Sequence, residues 1–240
     1  MVPIYIWDLE TKEILAKIQG YHKCAVNILK FSPDGSKLLT IGKDENNSLA
    51  IYDWVNQRLI SHMKIDNNFV SDAAWKNENE FVTVGKSHIK FFETKGTTLN
   101  FRRGNWNGNP KEHLTSAVFC FPQNICFTGG KSGKIYTWQN DTCNKVTDAH
   151  SKPVRVLIDH KPYLCSGGDD GVIKQWTFSG KLQQHLDDIV RLAESENVKG
   201  SPAIRSIDIK KDGSFLVGTR GSEIIEIIVD GATPTINPIF

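Results

Sequence analysis

The sequence predicts an all-β chain that folds as a β-propeller of four-stranded blades, and three observations carry this prediction. Short runs of alternating apolar and polar residues follow one another along the chain, with glycine-rich turns between them. A large aromatic or apolar residue recurs near the end of one strand in each group. The spacings between these residues are 45, 40, 46, 38 and 51, with a mean of 44, which is the period of a propeller blade. The recurring residues are Trp7, Tyr52, Phe92, Trp138, Trp176 and Ile227.

Six repeat units follow from this period, and the first of them is partial. The first unit contains "IYIWD", in which Trp7-Asp8 is the dipeptide that marks WD40-type repeats. The second contains "VNILKFSPDGSKLLTIG", where the turn residues 32–35 join two alternating runs, and "AIRSIDIKKDGSFLVGT" repeats this pattern in the last unit. The units cover residues 1–20, 21–66, 67–104, 105–148, 149–200 and 201–240.

The middle units supply the remaining hairpins. The third contains "VGKSHIKFFE", a turn followed by a strand, and the fourth and fifth contain "SAVFCFPQNICFTGG" and "VRVLIDHKPYLCSGG". Counted in this way, the chain has two strands in the first unit, sixteen in the four complete units and three in the last. The predicted fold is therefore a WD40-type β-propeller region, an arc of about five four-stranded blades. A compact five-bladed closure is the alternative that this strand count leaves.

Composition fits a globular domain and argues against several classes of function. Of the 240 residues, 39% are hydrophobic and 23% are charged, and the net charge of +2 is too balanced for a protein that coats nucleic acid or anionic lipid. No apolar run is long enough to span a membrane, and the amino end lacks a signal-peptide pattern. The five cysteines include no CxxC pair and suit reduced packing thiols in a reducing compartment. We therefore expect no membrane or nucleic-acid partner, no metal and no cofactor.

Three residues of the fifth unit resemble a hydrolase triad, because Ser166, His150 and Asp170 are a nucleophile, a base and an orienting carboxylate. In WD40-type repeats the same residue types, with a tryptophan on the third strand, form a buried hydrogen-bond network that holds the blade together. The stretch "AHSKPVRVLIDHKPYLCSGGDDGVIKQW" supplies His150, Ser166, Asp170 and Trp176 in that order. We therefore assign these residues a structural role and predict that the chain is not an enzyme.

Two GKS tripeptides look like the end of a phosphate-binding loop, but neither has the required context. That loop needs a glycine five positions before the GKS glycine, where this chain has Glu80 and Ile125. No helical pattern follows either tripeptide, so no helix N-terminus is available to hold a phosphate. Both are predicted to be turns between strands, and their serines, Ser87 and Ser132, are expected to take the place of Asp170 in weaker versions of the network.

Longer stretches resemble one family in particular. "VGKSHIKFFETKGTTL" resembles a marker of the propeller of the echinoderm microtubule-associated protein-like family, a G-K-S-H-I-x-F-aromatic run before a hairpin that bears glycine and leucine. "LAIYDWVNQRLI" is similar to the blade of that family that ends in W-D-W, and "AIRSIDIKKDGSFLVGTRGSEII" is similar to its G-x-I-R-x-V and G-T-x-R-N segments. The resemblance covers essentially residues 1–240. Glu93 and Gln139 depart from it, because aspartate is common at both positions.

The resemblance implies a non-catalytic scaffold that binds tubulin or microtubules through the propeller surface. It places the chain in the cytoplasm on the cytoskeleton, with the ciliary axoneme as one location. It also implies a larger protein with two fused propellers, of which the first has seven blades. The alternative is a general WD40 platform for protein–protein interaction in a signalling or ciliary complex. An enzyme ranks behind both, because the sequence offers no metal-ligand set and no exposed nucleophile–base pair.

A basic cluster between residues 86 and 111 is the candidate partner-binding surface. Its charge is +5, because Glu93 is the single acid against six bases. The surface of tubulin is acidic, so the resemblance makes this cluster a candidate contact, and an ordinary solvated face is the alternative. Trp106 is expected to be an exposed anchor in the loop "GNWNGNPKEH", and Phe101 and Trp106 stacking on nucleic-acid bases is a further alternative. The cluster consists of Lys86, Lys90, Lys95, Arg102, Arg103, Trp106 and Lys111.

Residues 182–195 are a second candidate surface, because their apolar and charged residues recur at a spacing compatible with a helix. Two interpretations are open. One is a fourth strand followed by a covering turn of helix, and the other is a protruding amphipathic element that contacts a neighbouring domain.

Overall fold

The fold is all-β, and its strands form antiparallel meanders. The computed structural model describes residues 2–45, 47–122, 124–179, 182–230 and 234–240, without the side chains of 178–179 and 182–188. These residues contain 22 strands and one 3₁₀ helix, arranged in one two-stranded sheet and five four-stranded sheets. In every sheet the strands pair in chain order. Contacts divide the chain into two units, residues 1–104 and residues 105–240.

The first unit contains sheets I, II and III. Sheet I pairs β1 (Pro3–Trp7) with β2 (Ile14–Gln19). Sheet II consists of β3 (Val26–Phe31), β4 (Lys37–Gly42), β5 (Ser48–Asp53) and β6 (Arg58–Lys64). Sheet III consists of β7 (Val70–Trp75), β8 (Glu80–Gly85), β9 (His88–Lys95) and β10 (Thr98–Arg103).

The second unit contains sheets IV, V and VI. Sheet IV consists of β11 (Leu114–Cys120), β12 (Ile125–Gly130), β13 (Lys134–Gln139) and β14 (Thr142–Asp148). Sheet V consists of β15 (Val154–His160), β16 (Tyr163–Gly168), β17 (Val172–Ser179) and β18 (Leu182–Arg191), followed by the 3₁₀ helix Leu192–Glu194. Sheet VI consists of β19 (Ile204–Ile209), β20 (Phe215–Thr219), β21 (Ile224–Ile228) and β22 (Thr235–Pro238).

The last sheet has four strands, so the expectation of three strands in that unit is wrong. The additional strand, β22, is short and contains Pro238, a residue that favours edge strands and resembles a turn signal in a sequence. The backbone of residues 182–194 is a fourth strand and a short 3₁₀ helix, which is the first of the two interpretations given above. The side chains of 182–188 lie outside the described residues.

The first GKS tripeptide is a tight turn, as its sequence context predicts. Gly85 and His88 pair across β8 and β9, and Lys86 and Ser87 connect them, with Ser87 at a φ of 51°. A left-handed backbone of this kind is a feature of two-residue hairpin loops. The second tripeptide is followed by Gly133, whose φ is 88° and whose position leaves no room for a side chain, because a Cβ would lie 2.1 Å from His150 O.

Each four-stranded sheet has a register irregularity near the start of its first strand. A bulge of this kind redirects a side chain, and here it directs polar groups toward a neighbouring sheet. Asn27 Nδ2 donates to Val70 O of sheet III at 3.1 Å, and Arg205 Nη1 lies 2.6 Å from Asp169 Oδ1 of sheet V. The residues at the irregularities are Asn27, Ser71, Thr115, Arg155 and Arg205.

The apolar core lies between consecutive sheets within each unit. Sheets I and II, II and III, IV and V, and V and VI each share a cluster of buried residues. β3 is less well covered than the other first strands: Leu29 and Phe31 are 51% exposed, whereas the equivalent Ala73 and Trp75 of β7 are 0% and 7% exposed. Sheet I has two described strands, and these pack on β4 and β5, so part of β3 faces solvent.

No helix among the described residues has both the length and the apolar character needed to cross a bilayer.

Candidate functional site

The structure brings together, within sheet V, the three triad-like residues and the tryptophan of the third strand. His150 Nε2 lies 2.8 Å from Ser166 Oγ, and His150 Nδ1 lies 3.0 Å from Asp170 Oδ1. Trp176 Nε1 donates to the same Ser166 oxygen at 2.8 Å. Ser166 is fully buried, and Trp176 is 2% exposed. A hydroxyl enclosed in this way has no route to a substrate, so the arrangement suits a structural role for these residues.

Asp170 is also tied to the chain around it. Its carboxylate accepts the N–H groups of Ser151 at 3.0 Å and Val172 at 3.3 Å. Burial alone raises the pKa of Asp170, but the hydrogen bond from His150 and these backbone contacts outweigh it, and the pKa lies below its ordinary value. The carboxylate therefore fixes both the histidine and the turn that precedes β17.

Sheet II contains a second network, which was not predicted from the sequence. His22 lies 2.6 Å from Thr40 Oγ1 through Nε2 and 2.7 Å from Ser48 Oγ through Nδ1. Ser48 in turn donates its N–H to Asp44 at 2.6 Å. One signal was present in the sequence: His22 precedes its strand, which begins at Val26, by four residues, as His150 precedes the strand that begins at Val154.

In sheet III the acid and the imidazole have exchanged places. Asp66 occupies the position four residues before β7, and His88 begins the third strand. His88 Nε2 lies 2.7 Å from Thr83 Oγ1, and His88 Nδ1 lies 3.0 Å from Asp66 Oδ2. Lys90 Nζ is 3.2 Å from the same Asp66 oxygen and also donates to Ile65 O. The sequence motif is lost, yet the hydroxyl–imidazole–carboxylate connection is kept.

Asp66 is the anionic centre of this network. Its other carboxylate oxygen accepts the Asn68 N–H at 2.9 Å. Burial alone raises the pKa of Asp66, but the hydrogen bonds that it accepts outweigh this effect and lower the pKa to about 2. The carboxylate is therefore charged at neutral pH, and it compensates the charge of Lys90, whose side chain is 8% exposed.

Sheets IV and VI depart further from the pattern. In sheet IV, Trp138 Nε1 donates to Thr128 Oγ1 at 2.9 Å, and Ser132 Oγ bonds to Glu112 at 2.8 Å instead of to a histidine. Tyr136 donates its hydroxyl to the same Glu112 oxygen at 2.5 Å. In sheet VI, Val217 takes the position of the hydroxyl, and residues 201–240 contain no histidine. At the position of the hydroxyl, sheet VI therefore has apolar packing of Val217 in place of a hydrogen bond.

We expect the two buried histidines of the first unit to make its stability depend on pH. Burial lowers the pKa of His22 and of His88 below the ordinary value of 6.5, and it outweighs the opposite effects of Asp44 and Asp66. The unfolded chain therefore binds more protons just below pH 6.5, so stability should fall as the pH is lowered from about 7.5 to about 5.5. Urea midpoints across this range would measure the loss.

The carboxylates of low pKa act in a different window. A depressed carboxyl pKa contributes stability that is lost only near and below pH 4, as the pH falls toward the folded pKa of about 2 of Asp66. His22→Gln should make the profile between pH 7.5 and 5.5 shallower, with the remaining slope due to His88. His62→Gln, at an exposed position, should leave the shape of the profile unchanged. A parent profile that is flat in this window would contradict the assignment to the buried histidines.

The described residues show no cluster of three or more His, Cys, Asp or Glu side chains arranged to hold a metal ion. Burial raises the pKa of Cys165 to about 12 and that of Cys143 to about 11, and Cys120 and Cys126 are shifted in the same direction. Thiols with raised pKa values are poor nucleophiles and poor metal ligands at neutral pH. These four cysteines act as packing residues.

Two members of the basic cluster are structural residues, which corrects their assignment to the binding surface. Lys90 is 6% exposed, and its ammonium group lies 4.7 Å from the centre of the Phe101 ring in addition to its contact with Asp66. Trp106 is also 6% exposed and packs edge-on against Tyr136 and Trp138, with ring centres 5.5 and 5.2 Å away. Trp106 therefore cannot serve as an exposed anchor in this conformation.

The other basic residues are exposed. Arg102 and Arg103 are adjacent on β10, Lys86 lies in the β8–β9 turn, and Lys95 is at the end of β9, 3.3 Å from Glu93. Lys111 is also exposed but belongs to the second unit. Within the first unit, the two adjacent basic residues of the exposed surface therefore lie on β10. We call Arg102 and Arg103 the β10 basic edge.

Comparison with solved structures shows the fold. The β-propeller domain of Cps50 (Swd1) from Myceliophteria thermophila superposes with a TM-score of 0.79 at 13% identity, over 98% of this chain and 80% of that one. The C-terminal WD40 domain of Sif2 gives a TM-score of 0.68 at 14% identity, over 94% and 60% of the two chains. The sheets described above are therefore blades of a WD40-type β-propeller.

Sequence comparison shows the family. Human echinoderm microtubule-associated protein-like 1 is 26% identical over 239 residues, which cover 95% of this chain and 28% of that protein. The 77 kDa echinoderm microtubule-associated protein of Strongylocentrotus purpuratus is 24% identical over 232 residues, 92% of this chain and 32% of that protein. The chain thus spans about a third of the length of these relatives. A family model described as the echinoderm microtubule-associated protein first beta-propeller matches residues 1–227, and the chain belongs to this family.

Proposed function

We propose that this propeller is a protein-interaction scaffold that binds tubulin or microtubules through the β10 basic edge. The observation that carries the proposal is the pair of adjacent, exposed arginines on the outermost strand of sheet III. An exposed basic strand on a rigid sheet is suited to an acidic protein surface, because complementary charge guides association. Relatives of this chain are named for association with microtubules. Cytoskeletal localisation in the cytoplasm, including the ciliary axoneme, is part of the same proposal.

The proposed binding surface contains fewer residues than the basic cluster predicted between residues 86 and 111. Lys90 and Trp106 are removed from it, because one is paired with Asp66 and the other packs on Trp138. Lys86 and Lys95 remain as exposed flanking charges of the first unit. The proposal therefore depends on charge rather than on an aromatic anchor.

Reversal of the two arginines tests the proposal. Arg102→Glu with Arg103→Glu should weaken co-pelleting with microtubules by about tenfold or more, because two attractive contacts become repulsive. The difference from the parent should grow at low salt, since the Debye length rises from about 8 Å at 0.15 M to about 30 Å at 0.01 M. Co-pelleting over a salt series measures this effect.

A matched control separates local from total charge. Lys211→Glu with Arg220→Glu makes the same change in net charge at exposed positions of the second unit, and it should bind like the parent. Thermal melts confirm that both variants are folded. If the Arg102/Arg103 variant is folded and pellets like the parent at every salt concentration, the proposal is wrong, and a general WD40 interaction platform for another partner is the remaining candidate.

A further inference from the structure

The outer edge of β10 has free backbone groups as well as charge. β10 is the last strand of sheet III, and it pairs with β9 on one side. The register joins Arg103 to Lys90 and Arg102 to Phe91, and the N–H of Gly104, the next residue, donates to Ile89 O at 3.0 Å. Because backbone groups alternate between the two sides of a strand, residues 98, 100, 102 and 104 face β9. The N–H and C=O groups of Leu99, Phe101 and Arg103 therefore face outward.

These outward groups are accessible. Residues 100–103 are all exposed, and the described residues show no backbone hydrogen bond from the outer side of β10. Three outward residues on one strand are sufficient to pair with a short extended peptide, and an added strand gains main-chain hydrogen bonds in this way.

The two arginines lie on opposite faces of the sheet. Successive side chains of a strand alternate, so Arg103 shares a face with Phe101 and Arg102 shares the other with Asn100. A strand added to this edge would place consecutive residues beside the two guanidinium groups, one on each face. Arg102 already interacts electrostatically with Glu80 of β8. Consecutive acidic residues would reach both arginines, since guanidinium groups present several donors and bind carboxylates through charge-assisted hydrogen bonds.

The other outer strands lack this combination. The basic residues of β6, Arg58 and Lys64, stand at its two ends, and Arg58 lies 3.7 Å from Asp53. β14 carries both Lys145 and Asp148, and β22 has no charged residue. The outer strand of sheet V, β18, carries an adjacent pair of the opposite sign, Asp187 and Asp188. Among the outer strands of the five four-stranded sheets, β10 is therefore the one with two adjacent basic residues.

We propose that β10 binds an extended acidic peptide by strand addition, with a pair of consecutive acidic residues beside Arg102 and Arg103. The proposal rests on the proposed function and names the chemistry of the partner segment: a disordered, glutamate-rich stretch that becomes a fifth strand of sheet III. Charge complementarity selects the segment, and the outward N–H and C=O groups of Leu99, Phe101 and Arg103 hold it.

N-methylated peptides test the backbone part of the proposal. The probe is a synthetic ten-residue peptide of glutamate and valine with a central Glu-Glu pair, and its binding to the full chain is measured by fluorescence anisotropy. One version carries three N-methyl groups on alternate residues, which leaves one edge of the peptide intact. A second version carries three on consecutive central residues, which blocks both edges. We expect the first to bind like the parent peptide and the second at least tenfold more weakly.

Protein variants test the charge part. Arg102→Glu with Arg103→Glu should weaken peptide binding at least tenfold, whereas Lys211→Glu with Arg220→Glu should leave it unchanged. Equal binding of the two methylated peptides would overturn strand addition while leaving a charge-dependent tubulin contact intact. A parent peptide that does not bind at low salt would overturn it as well. If the peptides bind as expected but the Arg102/Arg103 variant co-pellets with microtubules as the parent does, strand addition is supported and only the proposed function is contradicted.

Discussion

Trp176→Ala is expected to lower the free energy of unfolding by about 3–5 kcal/mol. The indole is 2% exposed and packs in the cluster shared by sheets IV and V, so its removal leaves a cavity between two blades. It also leaves Ser166 without the N–H that donates to its oxygen. The denaturant midpoint of the second unit measures the loss.

Two variants separate the cavity from the hydrogen bond. Trp176→Phe keeps much of the side-chain volume and removes the indole N–H donor. It should therefore lower the free energy of unfolding by less than Trp176→Ala does, by about 1–3 kcal/mol. Trp7→Ala removes an indole that is 59% exposed and should change stability by about 0.5 kcal/mol or less. A Trp176→Ala protein as stable as the parent would show that this residue does not hold the two blades together.

Asp66→Ala is also expected to lower the free energy of unfolding by about 3–5 kcal/mol, but through loss of an ion pair rather than through a cavity. The substitution leaves the ammonium group of Lys90 with little solvent and without its anionic partner, and it leaves His88 Nδ1 without the carboxylate at 3.0 Å. Breaking a buried ion pair from one side costs more than the pair contributes, because the remaining charge stays buried. Urea denaturation at pH 7.5 measures the cost.

A second substitution should restore much of this loss. Lys90→Met in the Asp66→Ala background removes the uncompensated charge and keeps an apolar stem beside Phe101. Asp230→Ala, which removes an exposed carboxylate, is the control and should leave the midpoint unchanged. If Lys90→Met does not improve the Asp66→Ala protein, the buried charge is not the cause of the instability.

The fold was predictable because its signal repeats. Tyr52, Phe92, Trp138, Trp176 and Ile227 occupy equivalent places in the five four-stranded sheets, each opposite an apolar residue or cysteine of the second strand. In sheets II, III, V and VI this residue lies in the core cluster shared with the preceding sheet, so the same packing position recurs from repeat to repeat. β22 was missed because it is four residues long, directly follows one proline and ends in another, so its local signal is that of a turn.

The candidate site was harder to predict, because burial depends on the neighbours that folding brings close. Nothing in "RRGNWNGNPKE" shows that Trp106 packs on Tyr136 and Trp138, about thirty residues away. A run of bases likewise gives no indication that Lys90 is directed into the blade, where Asp66 and Ile65 O receive it. Arg102 and Arg103 differ from it because an outermost strand leaves both of its faces near solvent.

The exchange of Asp66 and His88 has a consequence for how such repeats diverge. The hydrogen bond between an imidazole and a carboxylate is the same whichever segment supplies each partner, so a blade can keep the connection after both residues have changed. Neither single change is neutral: two carboxylates at positions 66 and 88 would repel each other, and two histidines would leave Lys90 without a counter-charge. The two positions are therefore expected to covary among related propellers, and each substitution to be tolerated only in the background of the other.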